Sequence, residues 1–157
     1  MVLKIDDWVF QVDPEKTKEH SSFVSSQHCM CGFCENYYRT ILSVCPGLKE
    51  FLGQFYILVD APSEMYPIDP IHYLSGYRVF GRIEQFGIAP MMVDGVPIQA
   101  EPVDETNFML EVGLLELPWV MDEDWADVIS PANEPEFLEN MYRKLSLRQY
   151  DDNYFCS

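Results

Sequence analysis

The pair Asp94-Gly95, set between MMV and VPIQ, constrains the fold more than any other feature of the chain. Both residues tolerate the left-handed backbone of a two-residue hairpin turn, and their apolar flanks supply the arms. Part of the chain must therefore be antiparallel. Pro97 has no N–H to give a neighbouring strand, so the second arm is expected at a sheet edge. Upstream, the run from Ile71 to Ile83 reads as a long strand in which Gly76 and Gly81 mark candidate bulges. Downstream, Phe108 to Leu115 reads as another. At the start of the chain, Leu3 and Ile5 precede an Asp6-Asp7 pair and Trp8, Phe10 and Val12 follow it, which predicts a second hairpin.

Helical signals lie mostly between these strands. Asp13-Pro14-Glu15 offers an N-cap acceptor, a proline that needs no donor and an acid in the first turn. A short helix from Pro14 to about His20 follows from that. In ENYYRTILSVCPG, the residues Cys34, Tyr37 or Tyr38, Ile41 and Cys45 recur at helical spacing, and Pro46-Gly47 ends the run. LKEFLGQF adds a turn or two, closing near Gly53. Asn133 stands three residues before Glu136 like a capping box, and Phe137, Leu138, Met141, Tyr142 and Leu145 line one face of a C-terminal helix. Hairpin, short helices, antiparallel strands and a final helix make an α+β fold, expected as one domain spanning all 157 residues.

Charge removes several classes of function. The formal net charge is −16, a field that repels nucleic-acid phosphates and anionic lipid and suits a basic protein partner. An acidic inhibitor or immunity-type protein is one reading of that balance. No segment joins a basic start to an apolar run of signal-peptide length, and nothing approaches the roughly 20 apolar residues of a membrane span. Five cysteines, three of them clustered, do not form the even set of a disulfide framework, so a reducing, cytoplasmic setting is expected.

The cluster is HCMCGFC, with sulfurs at Cys29, Cys31 and Cys34 and His28 beside the first. A turn followed by a C-x2-C step at a helix start can bring three thiolates onto one zinc ion. Structural zinc takes four ligands. Cys45 is excluded, because 11 residues of helix beyond Cys34 place it about 16 Å away along the axis. His28 completes the candidate set of Cys29, Cys31, Cys34 and His28, while His20, His72 and Cys156 remain open as alternatives.

Two other accounts compete with zinc. Cys31-Gly32-Phe33-Cys34 at a helix start resembles the active site of the thioredoxin-like oxidoreductases, and GIAPMMVDG resembles the strand that faces the thiols in that family, with Pro90 in the proline's place. The polar EHSSFVSSQHCM departs from the buried strand that leads into the first cysteine of that family. The third account is packing alone: small, soft side chains in a tight junction, with Phe33 and Tyr37 anchoring the helix to the sheet.

WVFQVD, the motif C-x-C-x2-C-x-N-Y formed by Cys29, Cys31, Cys34, Asn36 and Tyr37, and the late LPWV at Leu117 to Val120 resemble a family of small bacterial proteins without an assigned activity. The resemblance implies that the cysteines and Asn36 form one structural unit. Asn36 is then expected to bond a turn carbonyl or amide and to hold the cysteine loop. It brings no assigned activity with it.

Other chemistry lacks its residues. The chain has no His-x-x-x-His pair, G-x-S-x-G elbow, P-loop or G-x-G-x-x-G fingerprint. MDEDWAD gathers Asp122, Glu123, Asp124 and Asp127 around Trp125 but lacks the turn glycine of a calcium loop. It reads as a solvated acidic loop with a docked tryptophan. The sequence thus points to a protein that binds rather than catalyses, with a cysteine node able to take zinc.

Overall fold

A computed structural model describes residues 1–125. The chain opens with an antiparallel pair, β1 (Val2–Ile5) and β2 (Trp8–Val12). Ile5 opposes Trp8, so Asp6 and Asp7 form the predicted two-residue turn, with Asp6 at φ 52°. A short polar side chain is one of the few that accept that backbone.

Helix α1 (Pro14–Ser26) begins where Asp13 Oδ1 accepts the Lys16 amide at 3.1 Å. It continues to Ser26 instead of stopping near His20. The continuation carries no apolar stripe because hydroxyls make its inward contacts. Ser21 Oγ accepts the Leu58 amide at 2.8 Å, and Ser25 Oγ donates to Asp60 at 3.1 Å. Hydrogen bonds replace apolar burial on this face, and a search for apolar periodicity misses it.

Helices α2 (Gly32–Val44) and α3 (Leu48–Gly53) follow, joined through Pro46-Gly47 as expected. Then come β3 (Glu64–Pro67), β4 (His72–Gln85), β5 (Met91–Val93), β6 (Val96–Pro102) and β7 (Asn107–Glu116). All seven strands share one antiparallel sheet in the order β1-β2-β4-β7-β6-β5, with β3 also paired to β4. The fold is α+β: an antiparallel sheet with three helices among the described residues. No helix among them is long and apolar enough to cross a membrane. The predicted helix around Phe137 to Leu145, the tail and Asp127 lie outside the described residues.

Strand β4 organises the sheet. One of its sides pairs with β7 from His72 to Phe80, while the other changes partner, from β3 over Tyr73 to Gly76 to β2 over Gly81 to Gln85. Between those ladders the backbone of Phe80 would lack partners. Its carbonyl accepts the Asp13 amide at 2.8 Å, and its N–H donates to Thr17 Oγ1 at 3.0 Å. The first turn of α1 therefore fills the gap, which fixes the helix to the middle of the sheet.

The irregularities do not fall at both predicted glycines. Tyr73 opposes Leu115 and Ser75 opposes Val112, so the extra residue lies in β7, at Gly113 (φ 138°) or its neighbour. In the β2–β4 ladder the extra residue is Glu84, since Val9 opposes Gln85 and Phe10 opposes Ile83. Gly76 is instead in regular pairing with Glu64 and Glu111. Gly81 (φ 142°) is required for close approach, because a Cβ there would run into the Gln11 carbonyl.

The Asp94-Gly95 hairpin is present, with both residues at positive φ. Its second arm, however, is an inner strand: β6 lies between β7 and β5, and β5 is the edge. Pro97 is accommodated because it opposes Met92 in the second pair from the turn, whose N–H positions point away from the hairpin partner. On that outer side the ladder to β7 starts only at Ile98. No donor is needed at residue 97.

The core lies between the sheet and the helices. At the N-terminal hairpin, Trp8 stacks on Phe10 at 5.9 Å, Phe10 on Phe108 at 5.3 Å, and Phe55 meets Phe10 edge-on at 5.2 Å. Farther along β4, Tyr73, Ser75 and Tyr77 meet α2 with their hydroxyls.

Candidate metal centre

Cys31 is the N-cap of α2, with an extended backbone (φ −68°, ψ 157°), and Gly32 begins the helix. Cys34 falls in the first turn and is buried, while Cys29 and Cys31 are partly exposed. The three sulfurs lie within 4.8 Å of one another. Tetrahedral zinc with bonds of about 2.3 Å holds neighbouring sulfurs about 3.8 Å apart. A contraction on the order of 1 Å therefore converts this arrangement into a metal face. The helix N-terminus adds its own support for negative charge at these sulfurs. The three cysteines can hold a metal ion.

Cys45 is not among them. It caps the far end of α2, and its Sγ donates to the Val93 carbonyl at 3.5 Å. Burial, with Asp94 nearby, pushes its thiol up to about 11. This cysteine is a packed, protonated group.

The histidines have other places. His28 lies flat on the Tyr38 ring, centroids 3.8 Å apart and planes 17° from parallel, and its buried Nε2 is 3.8 Å from Asp60 Oδ2. His72 Nδ1 is 2.7 Å from Asp69 Oδ2. Burial works against ionisation of Asp69, but hydrogen bonds from the Ile71 amide and from His72 outweigh it and lower its pKa. His20 Nε2 meets Ser63 Oγ at 3.3 Å, and its ring meets the Phe80 ring edge-on. The group of mutually close ligating atoms consists of the three sulfurs alone among the described residues.

Asn36, fully buried one turn into α2, bonds a carbonyl and an amide as expected, but not those of the cysteine loop. Its Nδ2 donates to Pro118 O at 3.0 Å and to Tyr73 Oη at 3.1 Å, and its Oδ1 accepts the Val120 amide at 2.8 Å. The side chain ties LPWV to the helix that carries Cys34. The cysteine motif and LPWV, more than eighty positions apart in sequence, are thus one structural unit. Phe33, buried in the core, adds ring contacts to Trp119 and Trp125 at 6.4 and 6.1 Å. Trp125 is the docked tryptophan expected of the acidic loop.

Tyr37 does anchor α2 to the sheet. Tyr77 Oη donates to Val59 O at 2.6 Å, so it must accept from Tyr37 at 2.8 Å, and Tyr37 in turn accepts from Ser75 at 2.9 Å. Burial pushes Tyr37 and Tyr73 up to about 12 and moves Tyr77 in the same direction. Only apolar periodicity marked these tyrosines in the sequence. Their polar ends carried no signal, because nothing local to a tyrosine tells whether its hydroxyl reaches another hydroxyl.

The oxidoreductase resemblance loses its second half here. Cys31 does stand at a helix start, but the segment before it is α1 and a loop, and the sheet is antiparallel throughout. Pro90 lines a groove with Trp8 and Phe86 that contains none of the sulfurs, and the Trp8 indole donates to Ala89 O at 2.9 Å. Comparison of the chain with family models, with curated proteins and with solved structures gives no match.

Proposed function

We propose that the protein binds a zinc ion through Cys29, Cys31 and Cys34, and that this ion is a structural element of a non-catalytic binding protein. The observation that carries the reading is the convergence of three sulfurs to within 4.8 Å at the start of a 13-residue helix. Soft thiolates at that separation suit zinc among the common cellular cations. The surrounding architecture supports a structural role, since Cys34 and Asn36 lie on one helical turn and Asn36 holds LPWV. An ion on the sulfurs fixes the start of α2, and through α2 the segment from Leu117 to Val120. His28 lies outside this ligand set, because joining it means giving up the stack on Tyr38.

Metal analysis of protein purified without added metal tests the reading. About one zinc per chain is expected, together with a fall in melting temperature on chelation. Cys34→Ala should abolish zinc retention, whereas Cys45→Ala should retain it and cost only a packing defect. Less than about 0.1 zinc per chain, with melting unaltered by chelator, refutes the proposal.

A further inference from the structure

We infer that Cys31 and Cys34 are a reversible disulfide pair, closed by a low-molecular-weight disulfide such as oxidised glutathione, and that closure expels the ion. The expulsion rests on the metal-binding reading above. The modification itself rests on the position, the exposure and the charge of the two sulfurs.

Position selects the pair. Cys31 is the N-cap of α2 and Cys34 its third residue. Side chains at those two places turn toward each other, as they do in a capping box. A disulfide needs its sulfurs about 2.05 Å apart on Cα atoms about 4.4–6.8 Å apart. These sulfurs already lie within 4.8 Å, so side-chain rotation covers most of the approach. The Cys31 carbonyl accepts the Glu35 amide at 3.0 Å, which fixes the backbone of the first turn while the side chain moves. Cys29 shares the cluster but belongs to the loop before the helix, outside that turn.

Exposure sets the order of events. Cys31 is partly exposed and Cys34 is buried. An incoming disulfide therefore meets the first sulfur, and so does an incoming thiol in the return direction. Charge favours the attack, because the thiolate is the nucleophile and a helix N-terminus supports negative charge. Cys45 has neither advantage, being buried at the far end of α2 with its thiol pushed up to about 11.

The Cys31 thiolate attacks one sulfur of glutathione disulfide, forming a mixed disulfide and releasing one glutathione thiolate. The Cys34 thiolate then attacks the Cys31 sulfur, closing the protein disulfide and releasing the second glutathione thiolate. The protein sulfurs give up two electrons and the glutathione sulfurs take them. An ion on the three thiolates loses two of its donors and leaves. Since the ion binds only the reduced pair, free zinc at about 100 times its Kd should raise the oxidising ratio needed for half-closure about 100-fold.

Differential alkylation of the full-length protein in glutathione buffers tests the inference. In the closed form, alkylation before reduction should mark Cys29, and a second label after reduction should mark Cys31 and Cys34. Zinc-loaded protein should release about one zinc per disulfide formed, and excess dithiothreitol should restore both thiols and zinc uptake. In Cys34→Ser, glutathione should accumulate on Cys31 as a mixed disulfide. A first label on Cys31 or Cys34, which makes Cys29 the partner, overturns the inference. So does a pair that stays reduced in glutathione disulfide without zinc. Both outcomes leave the zinc reading standing. A closure point indifferent to zinc, in a protein that binds zinc, overturns the expulsion. Reduced protein that takes up no zinc refutes the metal reading and the expulsion together.

Discussion

The two ends of the core are held by different physics. Around the N-terminal hairpin, Trp8, Phe10, Phe55 and Phe108 form a dry aromatic stack whose energy comes from area removed from water and from ring contacts. Around α2, the contacts are an amide and four hydroxyls in two networks, one centred on Asn36 and one running Ser75 to Tyr37 to Tyr77 to Val59. The aromatic end is non-directional and depends on volume. The polar end is directional and depends on the pairing of each atom. The candidate metal centre sits at the polar end. That placement suits it, because a metal face needs sulfurs fixed in direction and a stack of rings constrains mainly packing.

Predictions that sharpen this contrast run from large to small. Phe10→Ala should cost about 3–5 kcal/mol in a denaturation experiment, by removing a ring central to the stack. Metal stoichiometry should be unchanged in the folded fraction. Asn36→Ala should cost about 3 kcal/mol, since it leaves the Pro118 carbonyl and the Val120 amide without their partner. Unlike Phe10→Ala, it should also raise hydrogen exchange at Val120 and weaken zinc retention. Equal effects on retention would erase the distinction between the ends.

Alkali offers a third test. Burial pushes Tyr37 and Tyr73 up to about 12 in the folded state and raises Tyr77 as well, whereas unfolded tyrosine loses its proton near pH 10. Above pH 10 the unfolded chain binds fewer protons, so stability is complete below that value and falls as pH rises toward 12. The slope is at most about 1.4 kcal/mol per tyrosine per pH unit. Exchange or near-ultraviolet signals from α2 should fail before those of the Trp8 stack, which has no titrating side chain. Tyr37→Phe is the mildest test, at about 1–2 kcal/mol, because Tyr77 keeps its bond to Val59 when the central hydroxyl is gone. A loss no larger than that of an exposed Tyr56→Phe would show that the chain of hydroxyls contributes nothing.

The fold was legible where local chemistry decides it. Asp6-Asp7, Asp94-Gly95, Asp13-Pro14 and Pro46-Gly47 each specify a turn or cap by their own conformational preferences, and each appears where expected. The second half of α1 was hidden, because Ser21 and Ser25 are satisfied by Leu58 and Asp60, partners no local pattern names. Pro97 misled for a related reason: its tolerance depends on where the β7 ladder begins. At the candidate site, the convergence of Cys29, Cys31 and Cys34 was visible in spacing alone. The link from Asn36 to LPWV was not, since it joins segments that meet only after the sheet has formed.

The seam in β4 has one further consequence. Where a strand passes from one neighbour to the next, a few peptide groups face outward in mid-sheet, an invitation for a stray strand from another copy of the chain to zip in. Asp13 and Thr17 occupy that stretch at Phe80 with a helix turn, which offers no continuing row of donors for an intruder to follow. Thr17→Val would free the Phe80 N–H while keeping the shape of the side chain and the Asp13 bond, and self-association during refolding is the trait to watch in that variant.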